Sequence, residues 1–132
     1  MATEILKVLL IEDHRSDTIL IKRAVTKFFP TALFAVAQDQ ADFEEKIAWI
    51  QPDIVLSDYW LGSDTFTGRD ALGFLKAQSS KTPFVFITGY FEDEPEQAAA
   101  LLGAADAYLF KRNMMEELGL RMAEVLPAAF RR

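Results

Sequence analysis

The chain contains no cysteine, which excludes a disulfide framework, a thiolate metal site and a cysteine nucleophile. Carboxylates and hydroxyls are left to carry any chemistry. Long apolar stretches are missing too. The longest, such as Ile5 to Ile11 and Pro83 to Ile87, fall far short of a membrane span, and no basic-then-apolar leader opens the chain. The expected address is therefore the cytoplasm, with no membrane partner. Basic clusters are scarce: 14 Lys and Arg stand against 20 Asp and Glu, a net charge of −6. Lys111 with Arg112, and Arg131 with Arg132, are too few to form a phosphate-neutralising footprint. Nucleic acid is not expected as a direct partner.

What is present is the balance of a globular chain, 51% apolar and 26% charged over 132 residues. That length buries one real core and leaves no room for a second. One domain is expected over residues 1–132, with no linker, low-complexity tract or output segment after the last helix.

Two kinds of segment alternate. Apolar, β-branched runs of strand length occur at Ile5 to Ile11, Leu33 to Ala37, Ile54 to Ser57, Phe84 to Ile87 and Ala107 to Phe110. Helical spacing of apolar residues occupies Asp17 to Phe29, Ala41 to Ile50, Gly68 to Gln78, Glu94 to Leu102 and Met114 to Phe130. Pro30, Pro52 and Pro83 stand in the junctions before strands, where a missing amide and a fixed φ stop the preceding helix. Such alternation implies right-handed crossovers and a mostly parallel sheet covered on both faces, an α/β fold. Phe28, Phe29, Phe34, Phe43 and Trp49 are expected as core or rim residues of the first two helices and the second strand.

In a parallel sheet of this kind the site forms at the carboxyl ends of the strands. Glu12 and Asp13 follow the first strand, Asp58 the third, Thr88 with Gly89 the fourth, and Lys111 the fifth. Three carboxylates gathered in one crevice repel one another unless a cation compensates them. Mg²⁺ suits such an oxygen-rich set, with Asp13 and Asp58 as direct ligands and Glu12 acting through water. A carboxylate can also attack phosphorus, so Asp58 is the candidate nucleophile and Lys111 the neutralising cation. The Thr88 hydroxyl and the unobstructed Gly89 amide are placed to hydrogen-bond phosphoryl oxygens.

The strings VLLIEDH, DIVLSDY, FVFITGY and AYLFKR, in this order at the right strand ends, resemble the receiver domain of two-component response regulators. The resemblance covers nearly the whole chain and implies a flavodoxin-like, doubly wound (βα)5 fold with a parallel five-stranded sheet in the order 2-1-3-4-5. It further implies phosphorylation of Asp58 by a histidine kinase or through a histidine phosphotransfer protein, dependence on Mg²⁺, and the Trp60 carbonyl as the metal's backbone ligand. A switch comes with it: Thr88 moves toward the phosphoryl group and Tyr108 turns inward. The surface of the fourth helix, fifth strand and fifth helix is thereby remodelled for a downstream protein partner or for homodimerisation. The chain would catalyse only its own phosphorylation and slow dephosphorylation, and would not be an enzyme toward other substrates.

Several positions depart from the family pattern. His14, the sole histidine, replaces a third acid and reads as a solvated loop imidazole. Arg112 follows Lys111 where the family has proline, and a cis bond before a non-proline residue costs about 2.5–4 kcal/mol. The loop YWLGSDTFTG after Asp58 is about two residues longer than the common form and of unpredictable shape. Trp60 and Tyr90 fall at positions that flank the phosphoryl group in the family, where they either exclude the water that hydrolyses it or simply pack on the loops of the third and fourth helices. The acids Glu92, Asp93, Glu94 and Glu96 read as favourable charges at a helix start.

Three other readings compete. An aspartate-nucleophile phosphohydrolase would need a second aspartate where Trp60 stands. A flavodoxin-like cofactor protein would need a hydroxyl- and glycine-rich first loop, whereas EDHRSD repels phosphate. A receiver-like interaction module that works without phosphorylation is the alternative that survives.

Overall fold

The computed structural model describes residues 5–61 and 65–130. Five strands run in the order β2-β1-β3-β4-β5, with every neighbouring pair parallel. They are β1 (Lys7–Ile11), β2 (Leu33–Ala37), β3 (Ile54–Ser57), β4 (Phe84–Thr88) and β5 (Ala107–Phe110). The helices are α1 (Arg15–Thr26), α2 (Gln40–Ile50), α3 (Gly68–Ala77), α4 (Pro95–Leu102) and α5 (Met114–Val125). This is the flavodoxin-like (βα)5 arrangement, and all ten expected elements are present.

Side chains alternating along the three central strands divide the core in two. Val8, Leu10, Ile54, Leu56, Val85 and Ile87 pack against Ile21, Ala24 and Val25 of α1 and Leu118 and Met122 of α5. Their neighbours Leu9, Ile11, Val55, Phe84 and Phe86 pack against Phe43 of α2, Ala71, Leu72 and Leu75 of α3, and Ala98 and Leu102 of α4. Phe29 and Phe43 are buried and Phe28 and Phe34 partly so, but Trp49 is 73% exposed on α2 and belongs to neither core. The edge strand β2 is blunted by Lys46, whose Nζ donates to the Val36 carbonyl at 2.6 Å. No described helix is long and apolar enough to cross a membrane.

Local chemistry sets the helix ends. Asp39 caps α2 by accepting the Asp42 amide at 2.8 Å, and Thr67 and Asp70 form a reciprocal capping box on α3. Pro95 opens α4. The last helix is shorter than its apolar spacing suggests: Leu126 is extended with ψ of 151°, because Pro127 disfavours helical geometry in the residue before it. Residues 128–130 form a separate 3₁₀ turn that returns Phe130 to the core. The first strand begins at Lys7, two residues later than expected from its apolar run.

At the carboxyl end of β3 two backbone segments approach closely. The amide of Gly68 donates to the Tyr59 carbonyl at 2.8 Å, so the start of α3 lies directly against the end of β3. A Cβ on Gly68 would collide with the Asp58 carbonyl oxygen and sit 2.8 Å from Ser57 Oγ. At Gly89 a Cβ would meet nothing within 4 Å. Gly68→Ala should therefore lower the stability read in a urea titration by about 1–3 kcal/mol, as overpacking does. Gly89→Ala should change it by about 0.5 kcal/mol or less in the same urea titration.

Candidate functional site

Strand register determines which residues emerge together. Ile11 pairs with Ser57 and Thr88 with Phe110, so the next residues, Glu12, Asp58 and Lys111, leave the sheet at one carboxyl edge beside Thr88. The Asp58 amide donates to the Ile11 carbonyl at 3.1 Å and the Glu12 amide to the Ala37 carbonyl at 3.2 Å, which holds both acids against the sheet. Asp58 and Glu12 are only 4% and 1% exposed.

Lys111 ties this edge together. Its Nζ donates to Asp58 Oδ2 at 2.8 Å and to Asp17 Oδ2 at 2.6 Å, and it lies 3.3 Å from Glu12 Oε2. The other Asp58 oxygen, Oδ1, accepts the Tyr59 amide at 2.7 Å. Burial alone would depress the lysine's pKa, but its hydrogen bonds to Asp17 and Asp58, with the charges of Asp58 and Glu12, hold it above the ordinary lysine range. Glu12 is pushed up from the usual carboxylate range, first by burial and then by the Asp58 charge, against the pull of Lys111. The peptide bonds of the described residues are trans, that between Lys111 and Arg112 included, and Lys111 opens a 3₁₀ turn over residues 111–113.

Asp13 and His14 form the outer lip. Glu12 Oε1 accepts the amides of Asp13 and His14 at 3.1 and 3.2 Å, folding the loop back over its own side chain. His14 is exposed, as a loop imidazole should be. Its Nδ1 nevertheless lies 3.0 Å from Asp13 Oδ1 and 3.4 Å from Glu12 Oε1, and the charge of Asp13, with the Glu12 contact, raises its pKa. Two buried carboxylate oxygens, Glu12 Oε2 and Asp13 Oδ1, make no aligned hydrogen bond despite these close charges. Ligand atoms of Glu12, His14 and Asp17 lie within 4.8 Å of one another. The strand ends thus form an acidic pocket with oxygen donors to spare, a donor set that fits a hard divalent cation.

The remaining expected residues take separate places. Thr88 is fully buried, and its hydroxyl accepts the Tyr90 amide at 3.1 Å. Trp60 and Tyr90 are 44% and 51% exposed, and their rings meet edge to face at 6.2 Å. Tyr59 lies beneath, buried, with its ring 4.9 Å from Trp60 and 5.4 Å from Phe91. Phe91 has a φ of 70°, unusual for a bulky side chain. Trp60 bridges to Thr67 across the long loop, of which residues 62–64 lie outside the described residues. Tyr108 stands apart, its ring 6.3 Å from Phe110, lining an open groove of about 610 Å³ with Arg121, Glu124 and Val125 of α5. Of the acids around α4, Glu96 lies in its first turn, whereas Glu92 reaches Arg112 at 3.4 Å.

Asp17 is a site residue that the sequence pattern does not announce. It lies in the first turn of α1, just past the loop that carries Glu12 and Asp13, and its carboxylate meets Lys111 at the strand ends.

The fold has well-covered counterparts among solved structures. The chemotaxis response regulator CheY4 of Vibrio cholerae is 22% identical, with 93% of this chain and 100% of that one covered and a TM-score of 0.73. The signal receiver domain of an HD domain-containing protein from Pseudomonas fluorescens is 19% identical over 92% of this chain and 94% of that one, with a TM-score of 0.75. The response regulator domain of Thermotoga maritima CheB is 17% identical, covering 92% and 96%, with a TM-score of 0.73. No curated protein matches the chain at a significant level. At such identities the structures carry the fold alone. The family model for the response regulator receiver domain, however, matches residues 8–123, a span that takes in Glu12, Asp13, Asp17, Asp58, Thr88 and Lys111, and the chain belongs to that family.

Proposed function

We propose that the chain is a phosphoryl-accepting response regulator that takes a phosphoryl group onto Asp58 and signals through a partner protein. The observation that carries this reading is a buried aspartate whose Oδ2 accepts from Lys111 at 2.8 Å, beside two carboxylate oxygens short of donors. An Asp58 carboxylate oxygen attacks the phosphorus of a phosphohistidine on a histidine kinase or phosphotransfer protein. A P–O bond forms, the P–N bond breaks, and the imidazole leaves and takes up a proton. Lys111 offsets the charge of the transferring group. The Thr88 hydroxyl and the Gly89 amide donate to its oxygens, and the clear space over Gly89 leaves room for them.

Asp13, Asp58, the Trp60 carbonyl and Glu12 would hold Mg²⁺, which when bound supplies positive charge for the anionic donor. The chain acts in the cytoplasm on itself, promoting its own phosphorylation and slow dephosphorylation and no other reaction. Engagement of Thr88 and turning of Tyr108 remodel the α4, β5 and α5 surface for a downstream partner or a second copy.

Incubation with acetyl phosphate and Mg²⁺ should add one phosphoryl group by mass and change the tryptophan fluorescence, and Asp58→Asn should abolish both. An unmodified wild-type chain would instead indicate an interaction module that works without phosphorylation. The Trp60–Tyr90 ring pair supports a long phosphoryl lifetime, since two half-exposed aromatic rings, each carried two residues after Asp58 or Thr88, would hinder water. Replacing Trp60 and Tyr90 together with serine should shorten the half-life of the acyl phosphate by about tenfold, a barrier change of about 1.4 kcal/mol. A half-life equal to that of wild type would remove the rings from this role.

A further inference from the structure

Lys111 is a long, flexible side chain with considerable rotamer freedom to lose, and no proline follows it to stiffen its backbone. Something else must fix its ammonium. An ammonium carries three N–H donors. Two are committed, to Asp58 Oδ2 at 2.8 Å and to Asp17 Oδ2 at 2.6 Å, and Glu12 Oε2 at 3.3 Å makes no aligned hydrogen bond. The shortest bond therefore goes to a residue outside the strand ends.

Asp17 is well placed to hold a fixed point. It lies in the first turn of α1, where the helix end favours an anion. Its neighbour Thr18 is buried, with amide and hydroxyl both bonded to the His14 carbonyl, which locks that turn. Ile21, Ala24 and Val25 of α1 pack with Leu118 and Met122 of α5, and α5 follows directly on the turn that carries Lys111. The two ends of the Asp17–Lys111 bond thus belong to two helices of one packed layer.

The three anions around Lys111 fare differently when Asp58 reacts. Asp58 gives up its carboxylate charge to the new phosphoryl oxygens, and Glu12 has a bare oxygen to offer a divalent cation. Asp17 keeps both its charge and its place. We propose that Asp17 is the positioning residue for Lys111, anchoring the ammonium while Asp58 gains and loses its phosphoryl group and leaving its third N–H for a phosphoryl oxygen. This rests on the reading of Asp58 as a phosphoryl acceptor.

The test compares wild type, Asp17→Asn and Asp17→Glu under acetyl phosphate. It separates the maximal rate, the half-saturating acetyl phosphate and the Mg²⁺ concentration that half-completes the fluorescence change. Asp17→Asn should lose about tenfold or more in maximal rate, the scale expected when a reacting group is misplaced. Its half-saturating Mg²⁺ should stay within about threefold of wild type, an affinity change under about 1 kcal/mol. Asp17→Glu, with the charge restored, should recover most of the rate, and both variants should melt with wild type. Phosphorylation of Asp17→Asn as fast as wild type or faster overturns the assignment of Asp17 alone. So does a rate loss that Asp17→Glu shares and that accompanies a lowered melting point, because that marks a packing role. A wild-type chain that takes no phosphoryl group overturns the acceptor reading and this one together.

Discussion

Four carboxylates, of Glu12, Asp13, Asp17 and Asp58, share one end of the sheet with a single ammonium. Two like charges about 4 Å apart repel by about 4 kcal/mol at an effective dielectric constant of about 20. A domain whose whole stability is about 5–15 kcal/mol cannot gather such a group without compensation. Lys111 provides part of it, and the placing of Lys111 follows from pairing β5 beside β4 with Thr88 opposite Phe110. The raised pKa values of Glu12 and Lys111 both record this balance: the acid is reluctant to ionise, and the base is reluctant to lose its proton.

The two faces of the sheet divide the work. The α1 and α5 side holds the ammonium and its anions. The α3 and α4 side brings the backbone of Gly68 up to the Asp58 carbonyl and packs Tyr59 among Phe86, Phe91 and Trp60 through edge-on and tilted ring contacts. Asp58 stands where the two meet, with one carboxylate oxygen on the Lys111 side and the other on the Tyr59 amide. Chemistry and shape at the nucleophile are thereby set by different layers of the molecule.

The fold is legible in the sequence because alternating strand and helix patterns, stopped by Pro30, Pro52 and Pro83, leave few ways to arrange a parallel sheet. The strand-end residues can be read with it, since register carries Glu12, Asp58, Thr88 and Lys111 to one edge. Less can be read where tertiary contact decides. The partner of Lys111 is hidden because Asp17 looks like any acid in a first helical turn, and only the packing of α1 beside α5 brings it there. His14 is exposed as its loop position suggests, yet its approach to Asp13 depends on how the loop folds over Glu12. The last helix is shorter than expected because apolar spacing continues through Pro127, where backbone geometry ends the helix. Trp49, read as a core or rim residue of the second helix, is left 73% exposed by the structure.

Phe91 holds a left-handed φ of 70° at the start of the passage from β4 to α4. For a bulky side chain that conformation costs about 1–3 kcal/mol, and the neighbouring rings must maintain it. The eight-residue helix α4 is consequently joined to the sheet through a segment already part-way uphill. The β4–α4 passage therefore carries a local backbone cost that the packing of the Phe91 ring against Tyr59 and Tyr90 helps to offset.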